Sequence, residues 1–250
     1  MFKFAFFFAF FLFFTTNTTS GSHNNTSSCP TNSCKNGPKI SYPFWFSQGS
    51  LPDQYCGYQE LGLFCDDNGN AIFSPPPGKY YYVKDIDYAN HILKLVDFDT
   101  ANITCPRALH SFPLGNLPLS HSPLNSNLNF YYNCTHYPSS GVPPIECLSS
   151  GANRSFVFLM GNETEGFDCQ EKVVVAVLKD QITSHDDGGL INEFAGAMNE
   201  GFLLDWQTTT NCAECEASNG TCGYSNTRKE TLCFCKDGTT KSNTCQGIYV

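Results

Sequence analysis

Two hydrophobic periods run along this 250-residue chain and divide it into strand-like and helix-like stretches. Tyr80 to Ile86 is built from aromatic and β-branched residues, and Ile92 to Phe98 interrupts its apolar positions with Lys94 and Asp97. Such runs suit a pleated, half-buried surface, and the turn-like Asp87-Tyr88-Ala89-Asn90 between them predicts a hairpin. Asp67-Asn68-Gly69-Asn70 predicts a second turn, because Asn-Gly accepts positive φ. Further along, Asn129 to Asn133, Phe156 to Met160 and Val173 to Leu178 read as strands. One stretch changes period: Leu190, Ile191, Phe194, Ala195, Ala197 and Met198 cluster at i, i+3, i+4 and i+7 spacing. That pattern predicts an amphipathic helix ending near Gly201. Pro106 to Asn129 is rich in Pro, Leu, Ser and Asn without a sustained period, so residues 106–129 are expected to be a linker or extended loop.

The N-terminus has its own signature. Lys3 precedes 11 unbroken apolar residues, Phe4 to Phe14, and small and polar residues follow from Thr15 to Ser22. This predicts a signal peptide over residues 1–20, cut after Ser20; a membrane-spanning helix needs roughly 20 apolar residues. All 14 cysteines lie downstream, an even number: Cys29, Cys34, Cys56, Cys65, Cys105, Cys134, Cys147, Cys169, Cys212, Cys215, Cys222, Cys233, Cys235 and Cys245. Exported small domains use disulfides where apolar burial alone gives too little stability. Cys212-x-x-Cys215 with Cys233-x-Cys235 has the outline of a zinc site, but in an oxidising compartment disulfides are the expected state. Asn-x-Ser/Thr acceptors occur at Asn17, Asn24, Asn25, Asn102, Asn133, Asn153, Asn162 and Asn219. Asn17 leaves with the signal and Asn24 adjoins Asn25, so glycans are expected on Asn25, Asn102, Asn133, Asn153, Asn162 and Asn219.

The formal charge is −9, and −10 once Lys3 is removed. That balance argues against nucleic acid and anionic membranes, which demand Lys/Arg clusters. The mature length suits two small modules, residues 29–105 and 130–245. The fold class expected is mainly β and disulfide-rich, with one short helix in the second module and a cysteine cluster of the epidermal-growth-factor type at the C-terminal end. Catalytic chemistry finds little footing. Six histidines are scattered, at His23, His91, His110, His121, His136 and His185, and none has a metalloprotease or nucleophile-elbow spacing. Asp66-Asp67-Asn68-Gly69-Asn70 alternates oxygen ligands as calcium loops do, but glycine falls fourth and no glutamate closes it. Neither a metal site nor a cofactor is expected. The segment that suggests binding is Ile40-Ser41-Tyr42-Pro43-Phe44-Trp45-Phe46, where four aromatics surround a proline. Flat aromatic faces can hold sugar rings; equally, these side chains can fill a small core.

Those residues also carry a resemblance. Cys34, then Ile40-Ser41-Tyr42-Pro43-Phe44, Cys56-Gly57, Leu63-Phe64-Cys65, Tyr81-Tyr82-Val83 and Ile86 resemble the galacturonan-binding module of plant wall-associated receptor kinases. Tyr132-Asn133-Cys134, Gly201-Phe202-Leu203-Leu204-Asp205-Trp206, Cys212-x-x-Cys215, Ser218-x-Gly220-x-Cys222-Gly223 and Cys233-x-Cys235-x-Asp237-Gly238 resemble the C-terminal module of the same receptors, of the leaf-rust resistance type. The resemblance implies a non-enzymatic extracellular protein whose partner is a wall polysaccharide, pectin or galacturonan. In such relatives a membrane helix and a kinase follow, and neither is in this sequence. The chain is therefore expected either as a secreted protein of the apoplast or wall, or as part of a longer plasma-membrane receptor. Residues 29–105 carry five lysines against eight carboxylates, a net −3, an unfavourable balance for a polyanion. Lys35 and Lys39 with Tyr42, Phe44 and Trp45 form the compact basic-aromatic patch and are the expected ligand site. The alternatives are a protein- or peptide-binding ectodomain in defence signalling, with a co-receptor or peptide as partner, and a secreted hydrolase.

Overall fold

The structure is a computed structural model that describes residues 29–47, 49, 52–75, 78–137, 142–163, 166–184 and 187–246. The expected signal peptide and the acceptor Asn25 lie outside these residues. Eight strands come first: β1 (Asn32–Ser33), β2 (Lys39–Ile40), β3 (Trp45–Ser47), β4 (Gln54–Cys56), β5 (Gly62–Cys65), β6 (Ala71–Phe73), β7 (Tyr81–Asp87) and β8 (Ile92–Asp97). They are followed by β9 (Leu119–His121), β10 (Asn125–His136), β11 (Arg154–Leu159), β12 (Asp168–Leu178), α1 (Asp187–Glu200) and β13 (Phe202–Trp206). The C-terminal part holds α2 (Thr210–Ala217), β14 (Thr221–Ser225), β15 (Glu230–Phe234) and β16 (Thr240–Lys241). The architecture is mainly β, with seven disulfides and a terminal cysteine cluster, as the composition implied.

The central element is a seven-stranded sheet in the order β3-β5-β6-β7-β8-β13-β9. Its β7–β8 hairpin is the one predicted from Tyr80 to Phe98, with Tyr81 opposite Asp97 and Asp87 opposite Ile92. Alternation along β7 buries Tyr81 and Val83, and a register shift between Val83 and Asp85 then buries Ile86. Such a bulge leaves one extra residue outside the pleat, so Lys84 and Asp85 are both exposed. The sheet does not stop at the first module. β13 from the C-terminal half pairs with β8, Phe202 opposite Leu95. Gly201 makes that approach possible: with φ +84° it lies so close to β8 that a Cβ would sit 2.0 Å from the Leu95 carbonyl oxygen.

The stretch expected as a linker supplies β9, which pairs with β13, and the start of β10. A three-residue edge strand has too few positions to show a period, which hid it in the sequence. Residues 105–108 are fixed as well. Cys105 bonds to Cys147, the Tyr132 hydroxyl accepts the Ala108 N–H at 3.0 Å, and the Arg107 guanidinium lies 3.9 Å from the Tyr132 ring centroid while pairing with Glu171.

A three-stranded sheet, β11-β10-β12, carries α1 on its inner face. Leu190, Phe194, Ala197 and Met198 pack there with Leu128, Phe130, Tyr132 and Val177, so the helical period found its predicted face. Burying each large apolar side chain is worth roughly 1.5–3 kcal/mol. The last sheet, β16-β15-β14-β4, again mixes the two halves, since β4 (Gln54–Cys56) pairs with β14. Around it α2 places Cys212 and Cys215 one helical turn apart on its buried face. That second helix was not anticipated; Thr, Asn and Cys are indifferent helix formers, and its two disulfides hold it.

Every cysteine is paired: Cys29–Cys56, Cys34–Cys65, Cys105–Cys147, Cys134–Cys169, Cys212–Cys222, Cys215–Cys233 and Cys235–Cys245. The zinc outline at Cys212, Cys215, Cys233 and Cys235 is thereby resolved as disulfides.

Candidate functional site

The aromatics of the expected patch are committed to the interior. Phe44 is 2% exposed and meets Trp206 edge-to-face at 5.1 Å. Trp45 stacks on Tyr55 at 3.9 Å and lies directly over Gly62, where any Cβ would fall 2.5 Å from the indole. Tyr42 is half-buried; its hydroxyl donates to Glu216 of α2, which also accepts from Tyr58 at 2.5 Å and from Thr208 at 3.0 Å. Desolvation, reinforced by the Glu216 carboxylate, raises the phenols of Tyr42 and Tyr58, the latter to about 12. Lys35 and Lys39 are exposed, Lys35 against Gly69 of the 66–70 turn and Lys39 in β2. The five residues therefore present two lysines at the surface beside three aromatics, of which Tyr42 and Phe44 reach the C-terminal half while Trp45 packs within the N-terminal one.

A different set of aromatics is available. On the sheet face opposite the main core, Phe64 is aligned through Ile72 with Tyr82 and Val96. Tyr80 stands on the same side as Tyr82, two positions earlier, and is 45% exposed; Phe98, just beyond β8, is 43% exposed. Phe64 to Tyr80 is 6.3 Å, Tyr80 to Phe98 6.2 Å, and Phe98 stacks on Tyr82 at 5.0 Å. These four rings form a continuous band across β5, β7 and the end of β8. At its Phe64 end the band opens into a groove of about 280 Å³ that reaches Trp45 and is lined by Ser47, Gln59, Glu60 and Ser74. An aromatic floor beside hydroxyl and amide groups can hold a sugar ring by its apolar face and its hydroxyls by hydrogen bonds. Sequence reasoning missed this band although a signal existed. In Tyr80-Tyr81-Tyr82 strand alternation sends the outer two to one face and Tyr81 to the core.

Charge around the band is mixed. The Lys84 ammonium sits over the Tyr82 ring, 5.1 Å from its centroid. Lys94 pairs with Glu200 at 3.2 Å. Asp66 lies near Tyr82 and, with desolvation, raises that phenol. Desolvation opposes ionisation of Asp66 itself, but the Asn70 side chain and backbone N–H groups donate to it at 2.9 and 2.7 Å and hold its carboxyl below the usual range. Below Tyr80 and Phe98, Asp97, Asp99 and His110 bring their polar atoms within 4.8 Å of one another. His110 lies 3.8 Å from Asp97 and 3.4 Å from the Tyr81 hydroxyl. Desolvation raises the Asp97 carboxyl, while His110 and Lys79 pull it down.

Residues 29–97 match the model for the wall-associated receptor kinase galacturonan-binding region, and residues 146–238 match the wall-associated receptor kinase C-terminal region. Among curated relatives, the leaf rust 10 disease-resistance locus receptor-like protein kinase-like 1.2 of Arabidopsis thaliana is 30% identical, over 87% of this chain and 34% of its own length. The like 2.1 protein of the same plant is 23% identical, over 83% of this chain and 33% of its own. The RING-H2 finger protein ATL22, also from Arabidopsis thaliana, is 26% identical over 76% of this chain and 49% of its own length. The chain thus spans about a third of the receptor-like kinases it matches. No solved structure matches it, and no helix among the described residues is long and apolar enough to cross a membrane. The chain carries, in series, regions that match the galacturonan-binding and C-terminal modules of wall-associated receptor kinases.

Proposed function

We propose that this protein binds galacturonan of the plant cell wall at the outer face of its seven-stranded sheet, as the ligand-binding exterior of a wall-sensing receptor system. The observation that carries this reading is the band of Phe64, Tyr80, Tyr82 and Phe98, four neighbouring rings held on a rigid sheet and open to solvent at Tyr80 and Phe98. The galacturonan-binding match covers β1 through β8 and so includes Phe64, Tyr80 and Tyr82, with Phe98 one residue beyond its end. The residues first expected as the ligand site, Lys35, Lys39, Tyr42, Phe44 and Trp45, contribute here chiefly through Trp45, which walls the adjoining groove. Binding is a property of the ectodomain alone and needs no catalytic group.

Titration of the secreted, fully disulfide-bonded protein with galacturonan oligomers, followed by calorimetry, tests this. Wild-type protein is expected to bind, and a Tyr82→Ala, Phe98→Ala double variant to lose about tenfold or more in affinity. Equal binding by the two proteins would remove the band from consideration.

A further inference from the structure

A cluster of polar side chains lies beside core-facing Tyr81, where the end of β8 meets the segment that follows Cys105. The turn after Asp97 is tied down by the Asp97 backbone carbonyl, which accepts the N–H groups of Thr100 at 3.3 Å and Ala101 at 3.0 Å. The Asp97 carboxylate accepts the Asp99 N–H at 2.9 Å, and Thr100 is buried. The turn thus holds two carboxylates close together. His110 reaches them from a segment fixed by the Cys105–Cys147 disulfide and by the bond from Ala108 to Tyr132. Its ring stands edge-on to Tyr81, with Nδ1 3.4 Å from the Tyr81 hydroxyl. That leaves Nε2 facing Asp97 at 3.8 Å, beyond hydrogen-bond reach. One polar atom from each of Asp97, Asp99 and His110 lies within 4.8 Å of the other two. A cavity of about 20 Å³ adjoins them, bounded in part by Tyr81, Asp97, Thr100 and His110, and that is room for one water molecule or ion.

These distances suit a metal ion better than an ion pair. Zinc holds nitrogen at about 2.0–2.1 Å and carboxylate oxygen at about 2.0–2.2 Å, so two ligands at a tetrahedral angle stand roughly 3.3–3.5 Å apart. The Tyr81 hydroxyl on Nδ1 is the kind of outer partner that orients a ligating imidazole and fixes its tautomer. An imidazole with two carboxylates is a mixed donor set apt for zinc, whereas calcium takes six to eight oxygens. Two carboxylates this close also repel each other, and the Asp97 side chain is only 19% exposed; a divalent ion balances both charges.

We propose that Asp97, Asp99 and His110 form a zinc site, completed by water, that staples the segment after Cys105 to the end of β8. The site is independent of the galacturonan reading. The spacing of its three residues matches no metal motif, so the fold alone assembles it, against the expectation from the sequence. Phe98 stands between the two carboxylates in the chain, so the ion also fixes the backbone beneath the last ring of the band.

The test is calorimetric titration of the full-chain, disulfide-bonded protein, without a histidine tag and stripped by a chelator, with zinc chloride and separately with calcium chloride. One equivalent of zinc is expected to bind with a Kd on the order of 1–10 μM, and calcium about 100-fold more weakly. Asp99→Asn and His110→Gln should each weaken zinc binding about tenfold or more. Asp99 is exposed and asparagine keeps its size, so with chelator present the urea midpoint of Asp99→Asn should match wild type. That comparison separates lost ligation from lost folding. Zinc should raise the wild-type midpoint and leave that of Asp99→Asn nearly unmoved. Zinc binding as tight in both variants as in wild type would put the ion elsewhere and overturn the site. Calcium binding more tightly than zinc through the same residues would overturn the choice of ion. Absence of saturable binding by either ion would overturn the proposal outright and leave the cluster a plain Asp–His contact.

Discussion

Glu216 joins the two ends of the molecule. Its carboxylate accepts hydroxyl donors from Tyr42, Tyr58 and Thr208, and the first two come from residues 174 and 158 positions earlier in the chain. A hydrogen bond to a charged group contributes roughly 1.5–3 kcal/mol net, and removing the acceptor also leaves half-buried hydroxyls unpaired. Three bonds sharing one acceptor are not additive. Glu216→Ala should therefore lower the unfolding free energy by about 3–5 kcal/mol, a large part of the roughly 5–15 kcal/mol typical of a domain. Glu216→Gln keeps an acceptor oxygen and loses the charge, so about 1–2 kcal/mol is expected. Urea unfolding followed by tyrosine and tryptophan fluorescence measures both, with mass spectrometry verifying seven intact disulfides in each variant. An alanine variant within about 0.5 kcal/mol of wild type would show that the crossing at Glu216 contributes nothing, since that is the scatter of neutral surface changes.

Other consequences are equally direct. Gly220 is ringed by sulfurs, with a Cβ placed 2.4 Å from Cys233, 2.7 Å from Cys245 and 2.8 Å from Cys215; Gly220→Ala should sharply reduce the yield of correctly bonded protein on disulfide mapping. The phenols of Tyr42, Tyr55, Tyr58, Tyr81 and Tyr132 are all raised by burial. A group raised in the folded state gives stability that is complete below its unfolded value near pH 10 and lost above it. The midpoint of urea unfolding should thus hold below pH 10 and fall between pH 10 and the Tyr58 value of about 12, and a flat profile there would contradict the burial of these rings. Phe98→Leu keeps apolar volume and discards the flat face, so stability should change by less than about 1.5 kcal/mol while galacturonan affinity falls about fivefold or more by calorimetry.

The sequence showed the elements whose side chains repeat and hid those held by distant partners. The β7–β8 hairpin, β10 to β12 and α1 are long enough for a period of two or 3.6 to emerge, and each lies where its pattern put it. β9 and β13 are short strands whose place depends on pairing with each other and with β8, which no local pattern encodes. The aromatic cluster at Tyr42 to Trp45 drew attention because it is dense, yet density is what a core built from both halves requires. Phe44 meets Trp206, 162 positions away. The rings left at the surface were dispersed over Phe64, Tyr80, Tyr82 and Phe98, and only the sheet assembles them.

That interlocking bears on whether the galacturonan-binding region can stand alone. Residues 29–97 keep both of their own disulfides, Cys29–Cys56 and Cys34–Cys65. They lose β13 from the edge of β8 and β14 from the edge of β4. They also lose Leu119, Phe202, Leu204 and Trp206 from the main core. At roughly 1.5–3 kcal/mol each, those four side chains amount to about 6–12 kcal/mol, as much as a whole domain usually has in hand. Two unpaired strand edges are in addition templates for association. A fragment of residues 29–97, made with both disulfides, should give a poorly dispersed amide NMR spectrum and no galacturonan binding, whereas residues 29–246 should give a dispersed one and bind. A well-dispersed spectrum from the short fragment would mean that β13 and β14 merely dock on a finished module. Otherwise the sheet that carries the band is itself completed by the C-terminal half, and a ligand on Phe98 rests on a strand whose far side is β13.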